Sequence, residues 1–247
     1  MRSEICNSLR SGELRSDITV SDLEIMSNAN NYSGWIYRRI LPFIGQRILE
    51  VGGGIGNFTR LLLNRELIVA VDKHPACVDY LKARLGNSRT LVPMELDISD
   101  PAVCELSPYE FDTVICLNVL EHVEDDLSAL AHMYSVLRAG GILILLVPAF
   151  QFLYGSVDRS LDHYRRYNRK SLIPKVRQAG FEVERVFYMN MIGMAGWLLN
   201  NRILGWREES ARQIGFFDRF VAPWAESLER LIQPPVGLSL ISVCRKK

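Results

Sequence analysis

Five short apolar runs recur between residues 46 and 150, separated by stretches in which apolar residues repeat with helical spacing. The runs are Ile48–Val51, Leu67–Val71, Leu91–Leu96, Phe111–Leu117 and Ile142–Val147. They are apolar almost throughout instead of alternating with polar residues, which is typical of strands in a parallel sheet covered on both faces. Helices are predicted over Pro75–Leu85 and Glu124–Leu137. This alternation predicts an open, doubly wound α/β sheet with right-handed crossovers.

The flanks of this core add helices and strands of their own. A helix begins near Asn31 and ends at Pro42, where the ring stops the helical pattern. After residue 148 the pattern loosens, and a further helix is predicted over Ser171–Ala179. A strand opens at Phe181, and a last strand is predicted at Leu238–Val243.

One domain is predicted across residues 1–247, because the chain has no repeats and no low-complexity linker. Its expected parts are a lead-in and lid helix (1–45), the core (46–150), a ligand-side loop, helix and strand (151–190), a helical cap insertion (191–235) and the last strand (236–247). The insertion is rich in Met, Trp, Phe and Leu, and it is amphipathic from Phe217 through Leu231.

Charge and cysteine usage exclude several classes of protein. The chain has 29 basic and 28 acidic side chains, whereas nucleic-acid binding requires many basic groups, so no nucleic-acid partner is expected. The five cysteines never occur in CxxC spacing, which indicates neither a zinc cluster nor a disulfide framework, and no metal site is predicted. The first two dozen residues lack the apolar core of a secretory signal, and no apolar stretch is typical of a transmembrane helix. A cytoplasmic protein is therefore expected.

A glycine loop follows the first predicted strand and opens a predicted helix, which is the context in which such loops bind ligands. Gly52, Gly54 and Gly56 give the spacing GxGxG, and glycine permits positive φ angles and close approach of a ligand. The dinucleotide fingerprint needs its third glycine one residue later, where Asn57 stands, so a nicotinamide or flavin dinucleotide is disfavoured. Glu50 beside the loop would repel a pyrophosphate and favours a cationic or zwitterionic ligand.

Two carboxylates follow the next two strands, at the sheet edge where doubly wound folds bind ligands. Asp72 comes about twenty residues after the loop, where a carboxylate accepts the hydroxyl hydrogens of a ribose. Asp97 is placed to accept a hydrogen bond from the exocyclic amine of adenine. Ribose, adenine and an amino-acid cation together describe S-adenosylmethionine (SAM).

Five motifs in the core carry a family resemblance. They are EVGGGIGNF (50–58), VAVD (69–72), LDIS (96–99), FDTVICLNVLEHVED (111–125) and LRAGGILILLVP (137–148). In this order they resemble the class I SAM-dependent methyltransferases, and among those the small-molecule, type 11/12-like group. The resemblance implies a mostly parallel seven-stranded sheet with an antiparallel last strand. It also implies SAM as cofactor and S-adenosylhomocysteine (SAH) as product.

The resemblance implies roles for the glycine loop and for the polar residues after the strands, and the lid is a separate prediction from the N-terminal helix. The glycine loop and Glu50 would surround the methionine moiety, Asp72 the ribose, Asp97 and Ile98 the adenine, and Asn118 the methionine end. Tyr32 would close over the pocket as a lid together with Trp35, the alternative being ordinary aromatic packing. The full predicted cofactor set is Tyr32, Glu50, Gly52, Gly54, Gly56, Asp72, Lys73, Asp97, Ile98 and Asn118.

Two histidines follow strand ends on the ligand side, His122 and His163. The sulfonium of SAM already activates the methyl group, so a general base is needed only where the acceptor must lose a proton. Both residues are predicted as candidate bases. The alternative for His122 is an architectural role, since LEHV recurs in the resembling methyltransferases whatever their acceptors.

The segment DRSLDHYRRY (158–167) is a predicted acceptor rim, with a solvated, salt-bridged loop as the alternative. Arg165 or Arg166 would clamp a carboxylate or phosphate of the acceptor. Trp197 in the insertion would line an apolar acceptor pocket, the alternative being an interface. The predicted substrate-binding residues are Phe150, Tyr154, Arg166, Tyr167 and Trp197.

These features predict SAM-dependent methyl transfer to a small, substantially apolar organic acceptor, at oxygen or carbon. Two alternatives stay open: a cyclase or pericyclase that uses SAM without net methyl transfer, and a catalytically silent binding subunit of a biosynthetic complex. Lipid or peripheral membrane contact, and a monomer or homodimer, are compatible with the sequence.

Overall fold

The computed structural model describes residue 20, residues 23–198 and residues 211–247. Most of the predicted lead-in and part of the predicted insertion therefore lie outside the described residues. Among the described residues, no helix is long and apolar enough to cross a membrane.

The centre of the fold is a seven-stranded sheet with the strand order β3-β2-β1-β4-β5-β7-β6. Its strands are β1 (Arg47–Val51), β2 (Leu67–Asp72), β3 (Leu91–Glu95), β4 (Phe111–Leu117), β5 (Leu137–Pro148), β6 (Phe181–Met189) and β7 (Ser239–Lys246). Strands β1 to β5 pair in parallel, and β7 pairs antiparallel to both β5 and β6. The predicted α/β fold with an antiparallel last strand is thus confirmed.

Helices cover both faces of this sheet, so its strands are apolar on both sides. The α-helices are α1 (Asn30–Ile40), α2 (Pro75–Leu85), α3 (Asp126–Val136), α4 (Ser156–Ser160), α5 (Arg169–Gln178), α6 (Met191–Trp197), α7 (Ala211–Phe216) and α8 (Ala222–Leu231), with a π-helical turn at Phe217–Val221. One cluster of buried residues, including Leu49 and Val51, lies on one face, and another, including Ile48 and Ile115, lies on the other.

The prediction of a helix directly after the glycine loop is wrong. The chain forms only a 3₁₀ turn there, at Thr59–Leu61. The Arg60 Nε donates a hydrogen bond to the Asn57 carbonyl, which is the acceptor that an α-helix would offer to the Leu61 N–H. The Leu61 N–H donates to the Phe58 carbonyl instead. The segment therefore closes with the i→i+3 bonds of a 3₁₀ turn and does not continue as an α-helix.

The described part of the insertion packs on α1 through buried carboxylates. Asp218 accepts hydrogen bonds from the backbone N–H groups of Asn31 and Tyr32, at 3.2 and 2.8 Å. Glu226 accepts two hydrogen bonds from Arg38, both at 2.6 Å. Trp35 on α1 is fully buried in the core, so its predicted role as a lid is wrong and the alternative, ordinary aromatic packing, holds.

Candidate active site

The glycine loop leaves the carboxyl end of β1 in a conformation that suits glycine. Gly52, Gly54 and Gly56 have φ angles of +74°, +51° and +85°. The N–H groups of Gly52 and Gly53 both donate to the Val71 carbonyl, at 2.8 and 3.0 Å, which ties the loop to the end of β2. A Cβ atom at Gly52 would overlap the Val119 side chain. The loop is therefore a backbone-lined cradle at the centre of the sheet edge.

Asp72 stands at the end of β2 and is oriented by two backbone donors. Its Oδ2 accepts from the Gly54 N–H at 2.8 Å, and its Oδ1 accepts from the His74 N–H at 2.9 Å. Each carboxylate oxygen keeps a further lone pair, so Asp72 can also accept two hydroxyl hydrogens. This arrangement fits the predicted ribose contact beside the loop.

Glu50 is buried in β1, next to the glycine loop, and its Oε2 has no hydrogen-bond partner among the described residues. Burial raises the pKa of this carboxyl group to about 8, because the charged form is poorly solvated there. A cationic group bound at the loop would compensate the charge and satisfy the oxygen. The residues at this edge therefore fit the amino-acid cation and the ribose of SAM.

The remaining predicted cofactor residues lie around the same edge of the sheet. Lys73 is exposed next to Asp72, and Asn118 is exposed at the end of β4 with a left-handed φ of +53°. Asp97 is half-buried after β3, and its Oδ1 accepts from the Ser99 N–H at 2.8 Å, while Ile98 is buried against α3. Tyr32 packs edge-on against Phe217 of the insertion, with ring centroids 6.2 Å apart. These five assignments stay predictions.

A cavity of about 480 Å³ opens among residues that follow the carboxyl ends of the strands. Its lining residues are Lys73, His122, Tyr154, Arg159, Asp162, His163 and Tyr164. They follow strands β2, β4 and β5, and β1 lies between β2 and β4 in the sheet. The cavity therefore lies along the sheet edge at which the glycine loop projects, on the side of β4 and β5.

The two predicted catalytic histidines meet in this cavity. Their rings are perpendicular, with centroids 4.5 Å apart. His163 Nδ1 lies 2.9 Å from Asp158 Oδ1, and the same oxygen accepts from Arg166 Nε at 2.7 Å. Burial, with help from the positive charges of His163 and Lys73, lowers the pKa of His122 to about 4, so His122 is neutral near pH 7.

Arg166 does not form the predicted acceptor clamp, because its side chain is buried and engaged within the protein. Its guanidinium pairs with Asp158 and lies over the Trp197 ring, 4.4 Å from the ring centroid. Trp197 in turn donates from Nε1 to the Leu153 carbonyl at 3.1 Å. Trp197 thus packs on Arg166, Arg166 pairs with Asp158, and Asp158 contacts His163.

The prediction that Tyr167 contacts the substrate is also wrong. It is 1% exposed, and its hydroxyl donates to Asp126 Oδ2 at 2.9 Å in the core. Side chains two residues apart in this segment reach the same partner. Arg165 and Tyr167 both reach Asp126, whereas Arg166 reaches Asp158.

Two further predicted substrate residues remain near the site. The Tyr154 hydroxyl donates to the His163 carbonyl at 2.7 Å, and the residue lines the cavity. Phe150 is half-buried with a left-handed φ of +62°, and its ring stacks on Tyr188 with centroids 4.8 Å apart. Both assignments stay predictions.

The sequence prediction missed two carboxylates behind the histidines, Glu121 and Asp158. Glu121 is 1% exposed, and Asp158 is fully buried. Asp158 stands in α4, five residues before His163, and this short separation is the one sequence signal for their contact. Although burial opposes it, hydrogen bonds from His163 and Arg166 lower the pKa of Asp158, which keeps its carboxylate ionised.

Asp72→Ala is expected to weaken SAM binding about 10- to 150-fold, since hydrogen bonds to a charged group contribute about 1.5–3 kcal/mol. Titration calorimetry of SAM and SAH measures the loss. Asp79→Ala, on the exposed face of α2, is the matched control and should bind both ligands like the unchanged chain. Equal affinity of both variants, with both folded, would remove Asp72 from the cofactor site.

The chain is similar to known proteins in sequence and in fold. The model of the methyltransferase domain matches residues 49–143. The ubiquinone biosynthesis O-methyltransferase of Paramagnetospirillum magneticum is 28% identical over 193 residues, covering 71% of this chain and 72% of that protein.

Two solved structures share the fold. The N-methyltransferase NodS of Bradyrhizobium japonicum, in complex with SAH, has a TM-score of 0.54 at 14% identity and covers 87% of this chain and 85% of its own. The [4+2]-cyclase SpnF has a TM-score of 0.57 at 21% identity, with 88% and 80% covered. At such identities the likeness shows the fold alone.

The chain is a SAM-dependent methyltransferase with the class I methyltransferase fold. SAM is its cofactor, as predicted from the glycine loop and the carboxylates that follow the strands.

Proposed function

We propose that this methyltransferase transfers the methyl group of SAM to a hydroxyl oxygen of a small organic acceptor. The observation that carries the proposal is the histidine-lined cavity along the sheet edge at which the glycine loop projects, which is bordered by Lys73, the residue directly after Asp72. An acceptor in this cavity lies next to the predicted cofactor site. The similarity to an O-methyltransferase of ubiquinone biosynthesis supports oxygen as the acceptor atom.

One group of residues holds the methyl donor, and another group activates the acceptor hydroxyl. When bound, SAM supplies a methyl group on a sulfonium sulfur, and the acceptor oxygen takes that methyl while SAH leaves. The loop backbone, Glu50 and Asp72 hold the donor, so the acceptor is aligned with it in the adjoining cavity. The His122–His163 pair is the place at which the acceptor hydroxyl loses its proton, and Asp158 keeps the His163 ring oriented.

The polarity of the cavity lining indicates the chemical class of the acceptor. Its described lining is polar and charged, whereas the insertion predicted an apolar pocket, of which residues 199–210 lie outside the described residues. The positive charges of Lys73 and Arg159 stabilise a negative charge that develops on an acceptor oxygen in the cavity. We therefore propose that the reacting end of the acceptor is an acidic hydroxyl group, such as that of a phenol or a catechol.

Turnover with SAM carrying a trideuterated methyl group tests the proposal. Catechol, aniline and 1,2-dimethoxybenzene serve as matched acceptors, with mass spectrometry of the products and quantification of SAH. We expect a labelled methyl ether from catechol, one SAH per product, and no reaction of the dimethoxy compound. Labelling of aniline alone would contradict oxygen transfer. Conversion of an acceptor without SAH would support the cyclase alternative, and tight SAM binding without transfer to any acceptor the silent subunit.

A further inference from the structure

Three side chains at the cavity offer metal-ligand atoms close to one another. One atom each from Glu121, His122 and His163 lies within 4.8 Å of the other two. We propose that these residues together bind one divalent transition-metal ion. The use of the ion rests on the proposed function, but its binding does not.

Glu121 provides the clearest sign that a ligand is needed. The residue is 1% exposed, and its Oε2 is buried without a hydrogen-bond partner in the part of the chain that the structure describes. Buried polar atoms are nearly always paired, because an unpaired one loses its hydration without compensation. A carboxylate oxygen of Glu121 belongs to the cluster with the two imidazoles, so a shared cation would compensate this buried carboxyl group.

Both imidazoles are held in the manner of metal-binding histidines. His163 Nδ1 contacts Asp158, which Arg166 Nε and the Gly155 N–H, at 2.7 and 2.9 Å, fix in turn. This leaves His163 Nε2 as the nitrogen for a ligand. A metal-bound histidine usually donates its other ring N–H to a carboxylate or a backbone carbonyl. His122 has the second kind of partner, the backbone of Leu161.

The donor set indicates the kind of ion. Two imidazole nitrogens and one carboxylate oxygen suit Zn²⁺ and its neighbours, whereas Mg²⁺ and Ca²⁺ prefer oxygen alone. Around the cluster, the positive charges of Lys73 and Arg159 offset the negative charges of Glu121 and Asp162. The ion would therefore bring an uncompensated positive charge that attracts an anionic oxygen from the cavity.

The three protein ligands leave a coordination position for the acceptor. A catalytic zinc site typically has three protein ligands and one exchangeable one. An acceptor hydroxyl bound in that position has a lowered pKa, and its proton passes to water in the open cavity. This assigns His163 the role of a ligand, where the sequence predicted a general base.

Metal binding is tested on the full chain after dialysis against a chelator. Zn²⁺ titration by competition with a chromophoric chelator gives the stoichiometry and the affinity, and Co²⁺ gives a visible spectrum that reports its ligands. We expect one Zn²⁺ per chain. Glu121→Gln and His163→Asn should each weaken Zn²⁺ binding by more than about 100-fold, and Asp158→Asn by about 10- to 100-fold. His132→Asn is the control, because His132 contacts the Ile98 carbonyl outside the cluster.

Two results would overturn the metal site: no Zn²⁺ bound by the unchanged chain, or equal Zn²⁺ affinity of the Glu121→Gln, His163→Asn and control variants. Circular dichroism establishes that each variant is folded. If His163→Asn does not fold, the Zn²⁺ affinity of Glu121→Gln and the Co²⁺ spectrum of the unchanged chain decide whether the cluster binds metal. A chain that binds Zn²⁺ through this cluster but methylates no hydroxyl supports the site and refutes the proposed function. A metal-free chain with full O-methylation would support the proposed function and overturn the ion's part in it, while the Zn²⁺ titration decides whether the site binds metal.

Discussion

Gly54→Val is expected to lower the affinity for SAM by at least about 100-fold, which corresponds to about 2.8 kcal/mol. Gly54 has a φ of +51°, a region in which a β-branched residue is strained by about 1–3 kcal/mol. A Cβ atom at Gly54 would also lie 3.1 Å from Leu23 Cδ1, and a shift of the loop would break the hydrogen bond from the Gly54 N–H to Asp72. Titration calorimetry of SAM, with a thermal unfolding curve, measures both effects.

Gly140→Val is the matched control for this substitution. Gly140 also has a positive φ, at +74°, but a Cβ atom there would meet no heavy atom within 4 Å, and the residue lies in β5 away from the loop. It should lose a comparable free energy of unfolding and keep its SAM affinity. Unchanged SAM affinity in folded Gly54→Val would mean that the loop is a structural turn without a part in binding.

His163→Ala is expected to lower the rate of methyl transfer by about 10²–10⁴ while leaving SAM affinity nearly unchanged. The reason is that His163 lies on the acceptor side of the cavity and contacts Asp158, and deprotonation of the acceptor depends on it in the proposed function. Single-turnover kinetics with catechol measures the chemical step, and calorimetry measures SAM binding.

His132→Ala serves as the control for this pair of measurements, since His132 lies on α3 and is absent from the cavity lining. It should retain the full rate. A folded His163→Ala variant with the rate of the unchanged chain would leave alignment of a self-activated acceptor as the source of catalysis.

The fold followed from the sequence because its strands are buried on both faces. Apolar runs predicted the bounds of β4 and α2 without error, at Phe111–Leu117 and Pro75–Leu85. β5 is longer than predicted, Leu137–Pro148 instead of 142–147, since it continues across Gly140 and Gly141 where the pattern is interrupted. Local hydrophobic pattern thus located the elements, and tertiary pairing set their ends.

The site residues that directly follow strand ends could be predicted from the sequence. Residues whose role depends on the direction of their side chains could not. Asp72 and the glycines are placed by the end of a strand, so spacing was sufficient to locate them. Arg166 and Tyr167 share a polar, aromatic segment with His163, and both are buried against carboxylates, Asp158 and Asp126, that the sequence spacing does not reveal. Glu121 was hidden because a buried glutamate next to a histidine has no distinguishing pattern.

A crystal structure of the chain with SAH bound tests the central claim most directly, because it needs no knowledge of the acceptor. We expect SAH against the glycine loop, its ribose hydroxyls on Asp72, its amino group near Glu50, and its sulfur facing the cavity of His122 and His163. SAH bound elsewhere, or bound at the loop with its sulfur turned away from that cavity, would contradict the account of where methyl transfer occurs.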